Sequence, residues 1–114
     1  MYREGQGVAQ DHAAAVEWYT LAAEQGNASG QHNLGVMYFM SNGVPLDYAE
    51  AFKWFSKAAE QGHAGSQNNL GLMYISGSGV PKNTTEAIKW WRKAAVQGYP
   101  YAIESLKRLD ISHP

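Results

Sequence analysis

Four histidines, at positions 12, 32, 63 and 113, are the side chains best suited to carry a proton or bind a metal near neutral pH. A helical metal site sets its ligands one turn apart, and none of the four has a histidine or carboxylate at i+3 or i+4. His32 aligns with Asn68, and His63 with Asn27 and Tyr99, so sister segments fill these places differently. They read as locally satisfied or solvated histidines. Serine, histidine and aspartate are all present, but no Gly-x-Ser-x-Gly elbow presents a nucleophile. Gly77-Ser78-Gly79-Val80-Pro81-Lys82 has the look of a phosphate loop, yet lacks the Gly-Lys-Ser/Thr ending and follows no strand. It reads as a turn between helices. With no cysteine in the chain, thiolate catalysis, disulfides and Cys-ligated zinc are all excluded. The expectation is a protein with no catalytic residue, no cofactor and no metal.

What these side chains hang on is a repeat. Trp18, Trp54 and Trp90 lie 36 residues apart, as do Gly26, Gly62 and Gly98, and Leu34, Leu70 and Leu106. Laying residues 1–36 on 37–72 gives 18 identities, and laying 37–72 on 73–108 gives 15, far beyond chance. The spacing predicts copies at about 1–26 (partial), 27–62 and 63–98, followed by a capping helix at about 99–110.

Each copy predicts two helices. Asp47 and Asn83 stand where an N-cap belongs, after Pro45 and Pro81, with Glu50 and Glu86 three residues on in capping-box register. Asp11 holds the same place in the first copy, predicting a first long helix over about 11–25. Gly26, Gly62 and Gly98 follow these helices as left-handed C′ residues. Second helices then begin at Ala28, Ala64 and Pro100 and run to about Tyr38 and Tyr74. Ala51, Trp54, Phe55 and Ala58 fall at i, i+3, i+4 and i+7, one apolar stripe. Ala15, Trp18, Tyr19, Ala22 and Ala87, Trp90, Trp91, Ala94 repeat it, so the tryptophans read as core rather than as an aromatic cage. Gly35 and Gly71 interrupt the second helices, and a recurring mid-helix glycine points to close backbone approach.

The run Asn33-Leu34-Gly35-Val36-Met37-Tyr38, then Gly43-Val44, Asp47-Tyr48, Trp54-Phe55, Lys57-Ala58-Ala59 and Gln61-Gly62, resembles the Sel-one-like repeat (SLR), a relative of the tetratricopeptide repeat. That resemblance implies an all-α, right-handed α-solenoid of antiparallel helix pairs acting as a scaffold for a protein or peptide partner. It also implies that the shorter helix of each pair lines a concave groove. On that helix His32, Val36, Phe39, Met40, Asn68, Leu72 and Ile75 form the candidate binding set, an apolar floor with a polar edge. Val36 and Leu72 stand where a carboxylate-clamping relative carries asparagine, so capture of a peptide C-terminus is not expected. Two other roles are compatible with the family: an immunity or regulatory subunit that inhibits a partner enzyme, and a hydrolase-linked role known among cysteine-rich relatives.

Charge and ends complete the reading. A net charge of −1 argues against nucleic-acid partners, because phosphates demand a cationic excess. No apolar run is long enough for a membrane span. Met1-Tyr2-Arg3-Glu4 runs into glycines, unlike a signal peptide. Lys53, Lys57, Lys89, Arg92 and Lys93 read as a solvated outer face. Lys107 and Arg108 replace the Gly and the apolar residue of sister copies, a polar cap. The first long helix lacks such a cap and a partner. Val16, Leu21 and one side of Trp18 and Tyr19 are expected to be uncovered, giving a homodimer through the N-terminal helices, most simply two-fold.

Overall fold

A computed structural model describes the backbone of residues 4–112 and the side chains of residues 13–109. Six helices follow one another: α1 (Glu4–Glu24), α2 (Ala28–Met40), α3 (Tyr48–Glu60), α4 (Ala64–Ser76), α5 (Thr84–Val96) and α6 (Pro100–Ser112). No strand occurs among the described residues. Met1-Tyr2 and the side chains of His12 and His113 lie outside them.

The helix starts obey local chemistry. Asp47 is extended (φ −155°, ψ 95°) and its Oδ1 accepts the Glu50 N–H at 3.0 Å. Asn83 does the same for Glu86 at 3.1 Å. Only half of the expected capping box forms, however. The Asp47 N–H donates to the Tyr38 carbonyl and that of Asn83 to the Tyr74 carbonyl, so each cap is tied to the preceding helix instead. Glu50 is thereby released; it accepts the Trp54 Nε1–H at 3.2 Å and pairs with Lys53. Gly26, Gly62 and Gly98 end their helices with φ of +90°, +95° and +83°, conformations that cost a Cβ dearly.

The first copy departs from its sisters. α1 runs unbroken from Glu4 through Asp11, so Asp11 lies inside a helix rather than at its start. The cause is at position 9, where Ala9 stands in place of Pro45 and Pro81. Without a proline to remove an N–H and block the preceding turn, Gly5 and Gly7 cost only about 1 kcal/mol each and the helix continues. α2 to α6 each span 13 residues, so in the pairs α3–α4 and α5–α6 neither helix is the shorter, and only α2 is shorter than its partner, the 21-residue α1.

The predicted stripes supply the core. On α3, Ala51, Phe55 and Ala58 are buried and Trp54 keeps only 8% of its surface. On α5, Ala87, Trp91 and Ala94 are buried while Trp90 is partly covered. On α1 the stripe fails at its centre: Trp18 is 74% exposed, since nothing described lies on its outer side. Gly35 and Gly71 do admit close contact. A Cβ on Gly35 would meet Phe55 Cδ1 at 2.8 Å, and one on Gly71 would meet Trp91 Cδ1 at 2.5 Å, inside any normal van der Waals distance.

A hydrogen-bond ladder of glutamines runs between repeats. Gln61 Nε2 donates to the Gly26 carbonyl at 2.9 Å and to Gln31 Oε1 at 2.8 Å, while Gln31 Nε2 donates to the Ala23 carbonyl at 3.2 Å. One repeat later, Gln97 donates to the Gly62 carbonyl and Gln67 Oε1, and Gln67 to the Ala59 carbonyl. Gln31 and Gln67 are buried, where an unpaired amide costs about 1–3 kcal/mol. Both amides are satisfied. The body is elongated, 52 × 29 × 27 Å, with each helix packed chiefly on those before and after it.

Candidate functional site

The even-numbered helices line one face, and its lining falls into two adjoining clefts. The first, about 190 Å³, lies between α2 and α4 and is walled by Val36, Phe39, Met40, Phe55, Asn69 and Leu72. Its floor is rigid because Phe55 is buried and Phe39 tilts against both Phe55 and Tyr48, with centroids 6.4 and 5.0 Å apart. Its mouth is exposed Met40 and Leu72. The second cleft, about 400 Å³, continues past Asn69 and Leu72 to α6, where Asn68, Tyr99, Tyr101 and Glu104 line it. An apolar slot thus opens into a polar channel along the helix stack.

Four of the seven candidate residues (Val36, Phe39, Met40 and Leu72) meet in the first cleft. Asn68 lines the second but is buried, and its Oδ1 has no hydrogen-bond partner. Trp91 Nε1, the complementary donor, is the other unsatisfied buried side-chain atom among the described residues. Ile75 packs with the Ala87–Trp91–Ala102 cluster between α5 and α6 and lines neither cleft. His32 is also absent from both. Asn69, shared by the two, was not among the candidates; it lies one residue beyond Asn68 and repeats Asn33, which was the available signal.

His32 stands elsewhere. The fold brings it to His63 across 31 residues, ring centroids 4.4 Å apart and stacked. His63 is the N-cap of α4: its Nδ1 accepts the Ser66 N–H at 3.1 Å, which places its proton on Nε2. Ser66 Oγ lies 2.7 Å from His32 Nδ1. A serine this close to a histidine invites a nucleophile reading, but Ser66 is wholly buried, away from solvent. No group of three or more His, Cys, Asp or Glu able to hold a metal occurs among the described residues.

Burial, and secondarily the neighbouring His63, lower the His32 pKa to about 4; burial also lowers that of His63. A depressed histidine pKa means the unfolded chain takes up protons first. The neutral pair therefore stabilises the fold fully above pH 6.5, and that contribution is lost as pH falls from 6.5 toward 4. Allowing for partial access of water to the rings, we expect a loss of about 1–2 kcal/mol. Thermal melts of the wild type and of His32→Asn, the residue of the sister copy, read it. The difference between the two should change across that window, and parallel melting curves at every pH would remove the pair from the account.

Comparison with known proteins agrees with this architecture. The Sel1 repeat family model matches residues 1–27, 28–63 and 64–99. Among solved structures, a protective antigen of uropathogenic Escherichia coli strains with an SLR fold is 47% identical (TM-score 0.84) over 90% of this chain. A Sel1 repeat protein from Oxalobacter formigenes is 43% identical (TM-score 0.76) over 79%. Cysteine-rich protein B of Helicobacter pylori is 28% identical (TM-score 0.74) over 78% of this chain and 67% of its own. The chain spans only 22% and 36% of the first two proteins. No curated protein matches it. No helix among the described residues is long and apolar enough to cross a membrane. Three tandem matches covering residues 1–99, each falling on the helices and glycine turns described above, place this chain in the Sel1 repeat family.

Proposed function

We propose that the chain is a protein-interaction scaffold that holds a segment of a partner protein along the face of α2, α4 and α6. Sel1 repeats generally serve as such scaffolds and are typically not catalysts. The observation that carries the reading is the apolar slot of Val36, Phe39, Met40 and Leu72 opening into the polar channel of Asn69 and Tyr101. A slot of about 190 Å³ holds one large aliphatic or aromatic side chain, and the channel offers amide and hydroxyl groups to the adjoining backbone. Peptides selected from a random display library test it. Met40→Glu and Leu72→Glu should each weaken a selected peptide by about tenfold or more, as expected of a buried anchor. Lys57→Ala, on the other face, should leave affinity within about twofold. A selected peptide indifferent to both glutamates would move binding off this face.

The exposed face of Trp18 and Leu21 supports a second interaction, association between copies of the chain through the N-terminal helix.

A further inference from the structure

The two joints along the groove share one register and fill it with different chemistry. Where α2 meets α4, His32 stacks on His63 with centroids 4.4 Å apart, and its Nδ1 lies 2.7 Å from Ser66 Oγ. Gly65 leaves room for both rings: a Cβ there would stand 3.2 Å from His63 Cε1 and 3.3 Å from His32 Cε1. Flat rings fill this corner, and the polar atom of His32 that faces α4 has its partner.

Thirty-six residues on, where α4 meets α6, the places of His32, His63, Gly65 and Ser66 fall to Asn68, Tyr99, Tyr101 and Ala102. Asparagine is shorter than histidine, and Ala102 offers no hydroxyl. Asn68 Oδ1 is accordingly unpaired, although the residue is only 5% exposed. No ring stacks on Tyr99 from the α4 side; instead a cleft of about 400 Å³ opens there, lined by Asn68, Tyr99 and Tyr101. The two tyrosines meet edge to face, centroids 5.8 Å apart, and brace its wall. A buried acceptor without a donor destabilises the fold, and a donor supplied from outside removes that cost.

We infer that this cleft is a specificity pocket for a planar side chain bearing an N–H group, a carboxamide or an imidazole, which lies on Tyr99 and donates to Asn68 Oδ1. The incoming group takes the part that His32 plays at the neighbouring joint. Asn68 needs little movement to meet it, because the terminal torsion of an asparagine is soft. A cation is a poorer fit: Arg108 also lines the cleft and pairs with Glu104 there at 3.7 Å, so a second positive charge meets repulsion. The inference rests on the groove reading above and adds the second half of its recognition, since the cleft shares Asn69 and Leu72 with the apolar slot. Packed helices stand about 8–10 Å apart. About three residues of extended chain cover that distance. The bound segment therefore carries a large apolar side chain and, some three residues away, the planar one.

Selection from a display library with a fixed central leucine and randomised flanks tests it, with the wild type, Ala102→Ser and Asn68→His as baits. Both variants borrow residues that the neighbouring joint already holds in that register, and circular dichroism checks that each keeps its helices. Ala102→Ser gives Asn68 a partner within the chain, and Asn68→His fills the corner. The wild type should enrich Asn, Gln or His at about the third position from the leucine by about fivefold, the factor that one net hydrogen bond gives. Both variants should lose that preference and still bind through the leucine. Peptides that need Met40 but show no such preference on the wild type, or keep it on both variants, overturn this inference and leave the groove standing. Asn68 turned onto Trp91 Nε1, which is also unpaired, would produce the first of these results. Peptides that bind Met40→Glu as well as the wild type overturn the groove reading, and the pocket with it.

Discussion

Trp54→Ala lowers the unfolding free energy by about 3–5 kcal/mol, the cost of emptying a fully packed aromatic site. The indole fills a seat formed by Ala23 and Leu34, with Tyr38 against it, so its loss uncouples α3 from both helices of the preceding pair. Its N–H to Glu50 goes too, though that bond sits near the surface and contributes less. Urea titration reads the loss as a lower midpoint. Trp18→Ala is the matched control. The residue is the same and so is the register, but Trp18 is 74% exposed where Trp54 is 8% exposed, and the expected cost is below about 1 kcal/mol. Equal losses at the two sites would mean that the stack does not bury one face of each repeat on its neighbour.

Gly71→Val comes next, at about 3 kcal/mol or more. Helix propensity acts in the opposite direction, since any side chain other than proline improves on glycine within a helix. Packing decides the sign. The missing Cβ leaves room for the edge of the Trp91 indole, and that ring is buried among Ala87, Ala94 and Ala102 with no free side to retreat into. Even Gly71→Ala should destabilise despite its gain of about 1 kcal/mol in propensity. The cost should shrink when Trp91→Leu is made in the same chain, a coupling that a double-mutant cycle measures directly. Additive effects would show that the indole and the glycine do not press on each other.

Much of this architecture is local and therefore readable from the residues. The caps at Asp47 and Asn83, the left-handed glycines and the apolar stripe of α3 each depend on a few neighbouring side chains, and all stand as their spacing predicts. What was hidden depends on partners far along the chain. Glu50 had the right place for a capping box, but Tyr38 reaches its target first. His32 and His63 are 31 residues apart and meet only because α2 lies beside the start of α4. Asp11 misled for a subtler reason: the signal for a helix start was present while the signal for the preceding stop, a proline at position 9, was missing. On the candidate face, hydrophobicity alone did not separate Leu72, which is exposed, from Ile75, which is packed under α5 and α6. The two differ by three residues on one helix, and only the path of the next helix pair distinguishes them.

The glutamine ladder has a consequence for how such a protein can lengthen over evolutionary time. Every rung is made by a donor and an acceptor at fixed places in the 36-residue period, so a tandem duplication in the gene delivers both halves of the new joint at once. No second substitution is needed to satisfy the buried amides, and the intermediate generations are spared a poorly folded product. One position does not carry the rung. Position 103, where the next rung would need its glutamine, is an isoleucine, so a segment copied onto this end could keep the bond to the Gly98 carbonyl but not the one between amides. Growth of the array is therefore easiest by copying the segment that runs from Gln31 to Gln67, which carries both halves of a rung.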